Sequence, residues 1–409
     1  MQRMAKRYYL FDHKILFFIG FIFYLLTPIL LGKIDAFHEY PGVDLFQGFF
    51  NRIPTDKIRS YLIITFSWLP AFYLGHFCFT LLKPYKKSLV KFSSTFETRS
   101  APYIAIVLCI FLVLFTYVSR ASLFGGGVYD VGPRGKLSTL IAIFNFFLIY
   151  QLISTTKVSK LLVIGTILNA LILLVAGGRL TALQSLTVFL IYKTSFASQR
   201  WKTIHLLLIA LIGLIVGGAI GIWRVKSSFS IERAGFSFLA EPLFSWFSSA
   251  SFLVDNDIPM FNFPKNFLSS FFNLVPNTLF SLREYVVSPG DMGYKYQNPF
   301  GADSIWTTLV INFGAAGSGI FIFITGFMLN FLRHLSEDNR FWATYYMLVC
   351  ALLPFEFFRT GFFILNKQLF FNFMLLPALI LLTLKFIQYF QNEPANIHLK
   401  ASPHEQEHY

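Results

Sequence analysis

The stretch LLVIGTILNALILLVAGGRLTALQSLTVFLIY, residues 161–192, is an apolar run broken by a single charge, Arg179, directly after two glycines. It is too long for one membrane crossing of about 20 residues and divides at the glycines into two short spans. A charge at mid-membrane costs roughly 2.5–3.5 kcal/mol on insertion scales. Arg179 therefore lies at a membrane surface or is held in a cavity for a purpose.

The rest of the chain repeats the apolar character. Its 409 residues are 55% hydrophobic and only 13% charged, whereas a soluble domain carries about a quarter charged residues. The expected fold is all-α: a polytopic inner-membrane bundle forming a single integral domain over 1–409. Ten spans emerge, at roughly 15–31, 61–82, 102–118, 137–154, 160–177, 179–197, 203–223, 304–331, 341–358 and 367–390. A further stretch, Ala234 to Val254, carries Glu241 and many serines. It reads as a re-entrant or interfacial helix, so that eleven or twelve membrane segments are also compatible.

Cys78, Cys109 and Cys350 fall inside apolar segments and offer neither a disulfide framework nor a metal spacing. The net charge of +14 is scattered through short loops. That distribution suits anionic lipid or a phosphorylated substrate better than nucleic acid. The basic start, MQRMAKRYYLFDHK, leads into Ile15–Leu31 without a convincing cleavage site, as a first membrane helix does. Lys and Arg are denser in 1–14, 83–101, 155–160, 193–202 and 332–340 than in the alternate connections, which predicts cytoplasmic N- and C-termini. In that orientation 224–303 is a long periplasmic loop, and 391–409 is a polar, disordered tail.

Several arginines then face outward: Arg120, Arg134, Arg179, Arg224, Arg233, Arg283 and Arg359. A guanidinium presents a planar fork that matches phosphate oxygens. Arginines near helix ends also snorkel to headgroups, but Arg179 and Arg359 sit in tight turns between spans, where a bound anion accounts for them better. SRASLFGGGVYDVGPRGK (119–136) is rich enough in glycine to cradle phosphate with backbone N–H groups, and equally reads as a flexible turn. SLREYVVSPGDMGYKYQNPFGADSIW (281–306) gathers Glu284, Asp291, Tyr294 and Asp303 beside a membrane entrance. Its carboxylates suit a general base and its aromatics suit sugar rings; a hydrated loop with an aromatic belt has the same composition. Gly314 to Gly319 form a small-residue stretch of the kind that packs helices in lipid.

Absences narrow the field. No histidine lies between His205 and His334, and HExxH, GxSxG and CxxC are missing. Charges are nearly absent from span interiors apart from His76 and His205, each read as a packed neutral residue, which disfavours a proton-coupled transporter.

The AGGRLTAL turn, the long outer loop leading through GYKYQNPFGADS into NFGAAGSG, and the turn FFRTGFF before the last span resemble the bacterial O-antigen polymerases, the oligosaccharide repeat-unit polymerases. The likeness covers the chain in layout. It implies inverting glycosyl transfer at the periplasmic face: the growing glycan on undecaprenyl pyrophosphate as donor, a second lipid-linked repeat unit as acceptor, and arginines holding pyrophosphate. Arg224 also stands in an Arg-x10-Gly spacing of the family's kind. The resemblance carries pyrophosphate binding onto Arg179 and Arg359 by motif and onto Arg224 and Arg283 by loop position. Together with the polar residues of the outer loops, this gives an expected catalytic set of Arg179, Arg224, Arg283, Glu284 and Asp291, and a substrate-binding set of Arg120, Arg134, Tyr294, Asp303 and Arg359. The resemblance implies no cofactor and no metal, since no dense Asp cluster is present. A chain-length regulator and a flippase are the expected protein partners. An O-antigen ligase shares the layout but relies on an outer-loop histidine. A lipid-linked oligosaccharide flippase should show two related halves.

Overall fold

The computed structural model describes residues 11–34, 44–83, 95–120, 131–154, 158–176, 178–197, 203–224, 231–275, 280–298 and 301–399. They are helical almost throughout, with no strand among them. In chain order the helices are α1 (His13–Lys33, with a π turn at Ile22–Leu26), α2 (Asp44–Arg52), α3 (Thr55–Leu82) and α4 (Thr95–Val118). Next come α5 (Val131–Ser154), α6 (Lys160–Val175), α7 (Arg179–Ile191), α8 (Thr203–Arg224) and α9 (Ile231–Asp255). Last are α10 (Ile305–Asp338), α11 (Arg340–Leu352), the short α12 (Glu356–Arg359) and α13, which starts at Phe362–Asn366 and continues through Lys367–Leu375 into Leu376–Leu399. Each of the ten expected spans overlaps a helix among the described residues, and Ala234–Val254 falls on α9. The last helix runs nine residues into the segment expected as a disordered tail.

Among the described residues, six helices are long and apolar enough to cross a membrane: α1, α3, α4, α5, α10 and α13. Their outer faces agree with a lipid environment. Leu74, Phe77 and Leu81 of α3, and Ile110, Val113 and Leu114 of α4, are exposed, in a belt that water would not tolerate. Lipid also explains why helix is the form taken, because it offers no partner for a backbone N–H or C=O.

The bundle is built on α3 and α10. Gly75 lies against the Phe323 carbonyl and Gly326 against the Phe72 carbonyl, so the two backbones meet without side chains between them. Trp68 Nε1–H donates to Ser318 Oγ at 3.0 Å, and Asn330 Nδ2 donates to the His76 carbonyl at 2.8 Å. The partner number rises with residue number on both helices, so α3 and α10 run parallel.

Three helices are short. α6 has 16 residues, α11 has 13, and α7 has 13 followed by a five-residue π turn at Tyr192–Phe196. At 1.5 Å per residue that is roughly 20–27 Å, less than the ~30 Å of a bilayer core. Their far ends are level with the end of α5: Tyr192 OH donates to the Leu152 carbonyl, and Arg340 reaches Ser154. The α6–α7 turn and α12 consequently end inside the bundle, beside Tyr24 of α1.

The room above those tips is filled by residues expected as a loop. Within 224–303, α9 is built into the bundle. Trp246 is buried against Phe46 and Phe50 of α2 and Tyr61 of α3, at ring separations of 5.3, 5.7 and 6.0 Å. Its serines dock the rest of the segment. Ser245 Oγ donates to the Asp303 carbonyl at 2.8 Å, Ser248 Oγ accepts from Ser304 N–H at 2.8 Å, and Ser251 Oγ accepts from Gln297 N–H at 2.9 Å.

The NFGAAGSG stretch serves two contacts. Ser318 meets α3, whereas Gly314 breaks α10 (φ 75°, ψ −179°) so that residues 259–262 can lie across it. Ala315 N–H donates to the Pro259 carbonyl at 2.8 Å, and Asn262 N–H donates to the Phe313 carbonyl at 3.2 Å. A Cβ on Gly314 would stand 2.6 Å from the Met260 backbone, in a region of φ/ψ that is essentially restricted to glycine. Gly314→Ala is expected to lower the melting temperature of the purified protein in detergent, with a cost of at least about 1–3 kcal/mol from the backbone alone. Gly319→Ala, whose Cβ would enter open space, should leave the melt unchanged. Equal melts for the two variants would contradict this account of the break.

Candidate functional site

Arg179 is the first residue of α7. The turn before it is closed by Gly178 N–H donating to the Leu173 carbonyl. Arg359 ends α12, which the chain enters through the turn Leu353–Phe355. The two tips face each other across α9, and Glu241 joins them. Arg179 Nη2 donates to Glu241 Oε1 at 2.8 Å, and Arg359 Nε lies 2.9 Å from Glu241 Oε2. The side chains are 18%, 19% and 11% exposed respectively. Arg179 is therefore in a cavity and not at a surface, which decides between the two placements that its sequence position allowed.

A second carboxylate supports the first pair. Glu356 is buried, accepts from Gln368 Nε2 at 2.6 Å and from the Thr181 side chain, and feels the charge of Arg359. The cluster thus holds two guanidinium groups and two carboxylates. Breaking a buried pair by removing one partner costs about 3–5 kcal/mol because a charge is left without compensation. Glu241 is the residue that allows both arginines to be there.

Beside the cluster lies a cavity of about 20 Å³, space for one water molecule. Arg179 and Glu241 contribute its polar wall; Phe23, Leu180, Leu183, Phe238 and Phe355 make the rest apolar, with Tyr24 and Gly213 completing it. Gly213 belongs to α8, whose Leu211, Ile212 and Ile215 are exposed.

The remaining expected site residues are dispersed. Asp303 is the nearest: it feels the charge of Arg359, and its Oδ1 accepts from Tyr296 OH and Asn298 Nδ2, both at 3.3 Å. Tyr294 OH accepts from Asn262 Nδ2 at 2.9 Å, and its ring packs on Phe252, which makes it part of the scaffold. Arg283 Nε donates to Asn273 Oδ1 at 2.9 Å, with the guanidinium 5.9 Å from the Phe363 ring centroid. Glu284 is exposed in the turn Leu282–Tyr285. Asp291 is exposed too and accepts from Ser288 N–H and Oγ, closing a local turn. Arg120 is exposed at the end of α4, stacked 4.4 Å from the Tyr117 ring. Arg134 lies within α5 and Arg224 ends α8; their side chains, like the glycine-rich 121–130, lie outside the described residues. No group of three His, Cys, Asp or Glu able to hold a metal ion occurs among the described residues.

Sequence reasoning missed Glu241 as the partner of the arginines. The signal was available. Glu241, Ser245, Ser248 and Ser249 recur at helical spacing in an otherwise apolar segment, and a polar stripe of that kind marks a face turned toward polar partners. It also missed a second polar group at the opposite end of α1. There the buried His13 pairs through Nδ1 with Tyr346 OH at 2.8 Å and through Nε2 with His76 Nδ1 at 2.9 Å. Asp12 caps α1 and pairs with Arg333 at 3.5 Å. His205, by contrast, is on the exposed face of α8.

Comparison with family models, curated proteins and solved structures returns no match for this chain.

Burial raises the proton affinity of Asp303 above the ordinary carboxylate range, against the opposing pull of Asn298, Tyr296 and Arg359. A carboxyl raised in the folded state costs stability as pH climbs from its ordinary value, about 4, through the folded one. Asp303→Asn is therefore expected to melt higher than wild type at pH 7, with the gap closing as pH falls toward 4. A gap that is constant with pH, or a wild type that gains stability as pH rises through that range, would show that Asp303 is held as a favourable carboxylate.

Proposed function

We propose that this chain polymerises undecaprenyl-pyrophosphate-linked oligosaccharide repeat units into O-antigen or a similar surface polysaccharide, with Arg179 and Arg359 holding the donor pyrophosphate. The observation that carries the reading is the meeting of two arginines, remote in sequence, at the edge of an apolar-walled cavity. A soluble phosphate needs cations but no apolar wall, and a plain lipid needs the wall but no cations. An isoprenoid pyrophosphate needs both. Gly213 of α8 lines the cavity, and the neighbouring Leu211, Ile212 and Ile215 are exposed, which supports access for such a ligand from the bilayer.

The chemistry asks little more of the protein. Pyrophosphate leaves readily once cations are aimed at the charge that develops on it. Guanidinium forks provide this as a pair, and a point charge does not reproduce their bidentate geometry. The acceptor is the hydroxyl of a second lipid-linked unit.

The proposed topology has ten membrane segments in the bacterial inner membrane, the α6–α7 hairpin and α11 entering it only in part, with both termini cytoplasmic and the α9 segment on the periplasmic side. The parallel run of α3 and α10 supports this count. As second and eighth segments they travel the same way; a full extra crossing at α9 would reverse α10. A chain-length regulator and a flippase belong to the same proposal as partners.

The test is a gel profile of surface glycans and of the lipid-linked pool from cells without this gene, complemented by wild type or variants. Single repeat units on the lipid core, with the ladder gone, are expected. Arg179→Lys and Arg359→Lys should each fail to restore the ladder at matched membrane levels, with a loss of about 100-fold or more. Full-length polymer stranded on the carrier would identify a ligase instead, and single units trapped on the cytoplasmic side a flippase. An unchanged ladder would remove the pathway assignment.

A further inference from the structure

Glu241 stands where a substrate anion would stand. Both its oxygens are committed to arginines, and the space beside it admits one water. A phosphate cannot be added to this arrangement; it has to be exchanged into it. The inference below rests on the pyrophosphate reading and names what the exchange releases.

Among the described carboxylates near the cluster, only Glu241 lines the cavity. Glu356 accepts from Gln368 and Thr181, and Asp303 from Tyr296 and Asn298, while both also feel the charge of Arg359. Glu241 also sits at a weak point of its helix. The next residue, Pro242, lies inside α9. A proline there has no N–H to give to the carbonyl four residues back, that of Phe238, and its ring crowds that carbonyl. Helices bend at such points, so Glu241 can move without unfolding the serine-docked half of α9 beyond it. Phe238 and Glu241 are both cavity residues, which puts the loosened turn at the ligand's place.

We infer that Glu241 is an exchangeable internal anion which becomes the proton acceptor of the reaction. The donor's pyrophosphate displaces it from Arg179 and Arg359. The freed carboxylate then takes the proton from the acceptor sugar hydroxyl as that oxygen attacks the donor's anomeric carbon. The new bond is carbon to acceptor oxygen. The bond that breaks is anomeric carbon to phosphate oxygen, and its electron pair leaves on the pyrophosphate, neutralised by the two arginines. The proton on Glu241 passes to water as undecaprenyl pyrophosphate departs, and the carboxylate returns to its cations. This arrangement keeps the base occupied until a donor is bound, so an acceptor or a water molecule alone meets no free carboxylate.

The experiment measures two quantities on the full chain in nanodiscs: affinity for undecaprenyl pyrophosphate, and polymer formed from lipid-linked repeat units. Glu241→Gln removes the competing charge and the proton acceptor while keeping an amide oxygen for the arginines. It should bind undecaprenyl pyrophosphate at least as tightly as wild type and polymerise about 100-fold more slowly or worse. Glu241→Asp, too short to span both arginines, should also bind at least as tightly and turn over more slowly; it decides the matter if the glutamine variant does not fold. Affinity that falls in step with turnover would make Glu241 a structural strut and overturn the inference. So would a glutamine variant that polymerises at the wild-type rate. Wild type that binds no undecaprenyl pyrophosphate would bring down the pyrophosphate reading itself and this inference with it, a result separable from the other two.

Discussion

Two arginines buried in an apolar bundle require an anion, and in this structure the anion is Glu241. The shared carboxylate ties together three segments: the tip of the α6–α7 hairpin, the α12 turn and the middle of α9. Each hairpin tip stops short inside the bundle because its helices are short. That shortness brings the arginines to a cavity where longer helices would have carried them to a headgroup layer. The serines of α9 dock Gln297, Asp303 and Ser304 on the same side, which packs further chain against the arginine tips.

The opposite end of α1 is organised by different contacts. His13, His76 and Tyr346 form a hydrogen-bonded row near the Asp12–Arg333 pair. Between that row and the Glu241 cluster lies a block of rings. Phe17 stacks on Phe72 at 3.9 Å and meets Phe358 at 5.3 Å, and Gly20 allows the Leu353 carbonyl and Phe358 to close against α1. The two polar groups are thus held apart by phenylalanine. Some of the chain's 52 phenylalanines find a use here as dense apolar packing, without implying specificity.

The helices could be read from the sequence because lipid enforces the rule that makes them legible: an apolar run of sufficient length has no other way to satisfy its backbone. The turns at Arg179 and Arg359 were legible as charges out of place. What could not be read was their partner. Glu241 lies 62 residues from Arg179, and no local pattern announces a contact at that range. Attention went instead to Glu284 and Asp291, where polar residues are dense, yet density of that kind marks a hydrated surface. A single acid in an apolar, serine-striped stretch such as Ala234–Val254 is the stronger sign, because burial obliges it to have a partner. The Gly314 break was misread for a related reason. Small residues announce close approach, but only the structure tells that a backbone segment shares the role with a helix.

The account turns on whether this chain, by itself, joins lipid-linked sugars. The most direct measurement is reconstitution of the purified protein in liposomes with undecaprenyl-pyrophosphate-linked repeat units and no other protein. The account predicts a ladder of carrier-linked glycans, with one undecaprenyl pyrophosphate released for each linkage formed. A folded, correctly inserted chain that leaves the lipid-linked units unchanged would contradict it.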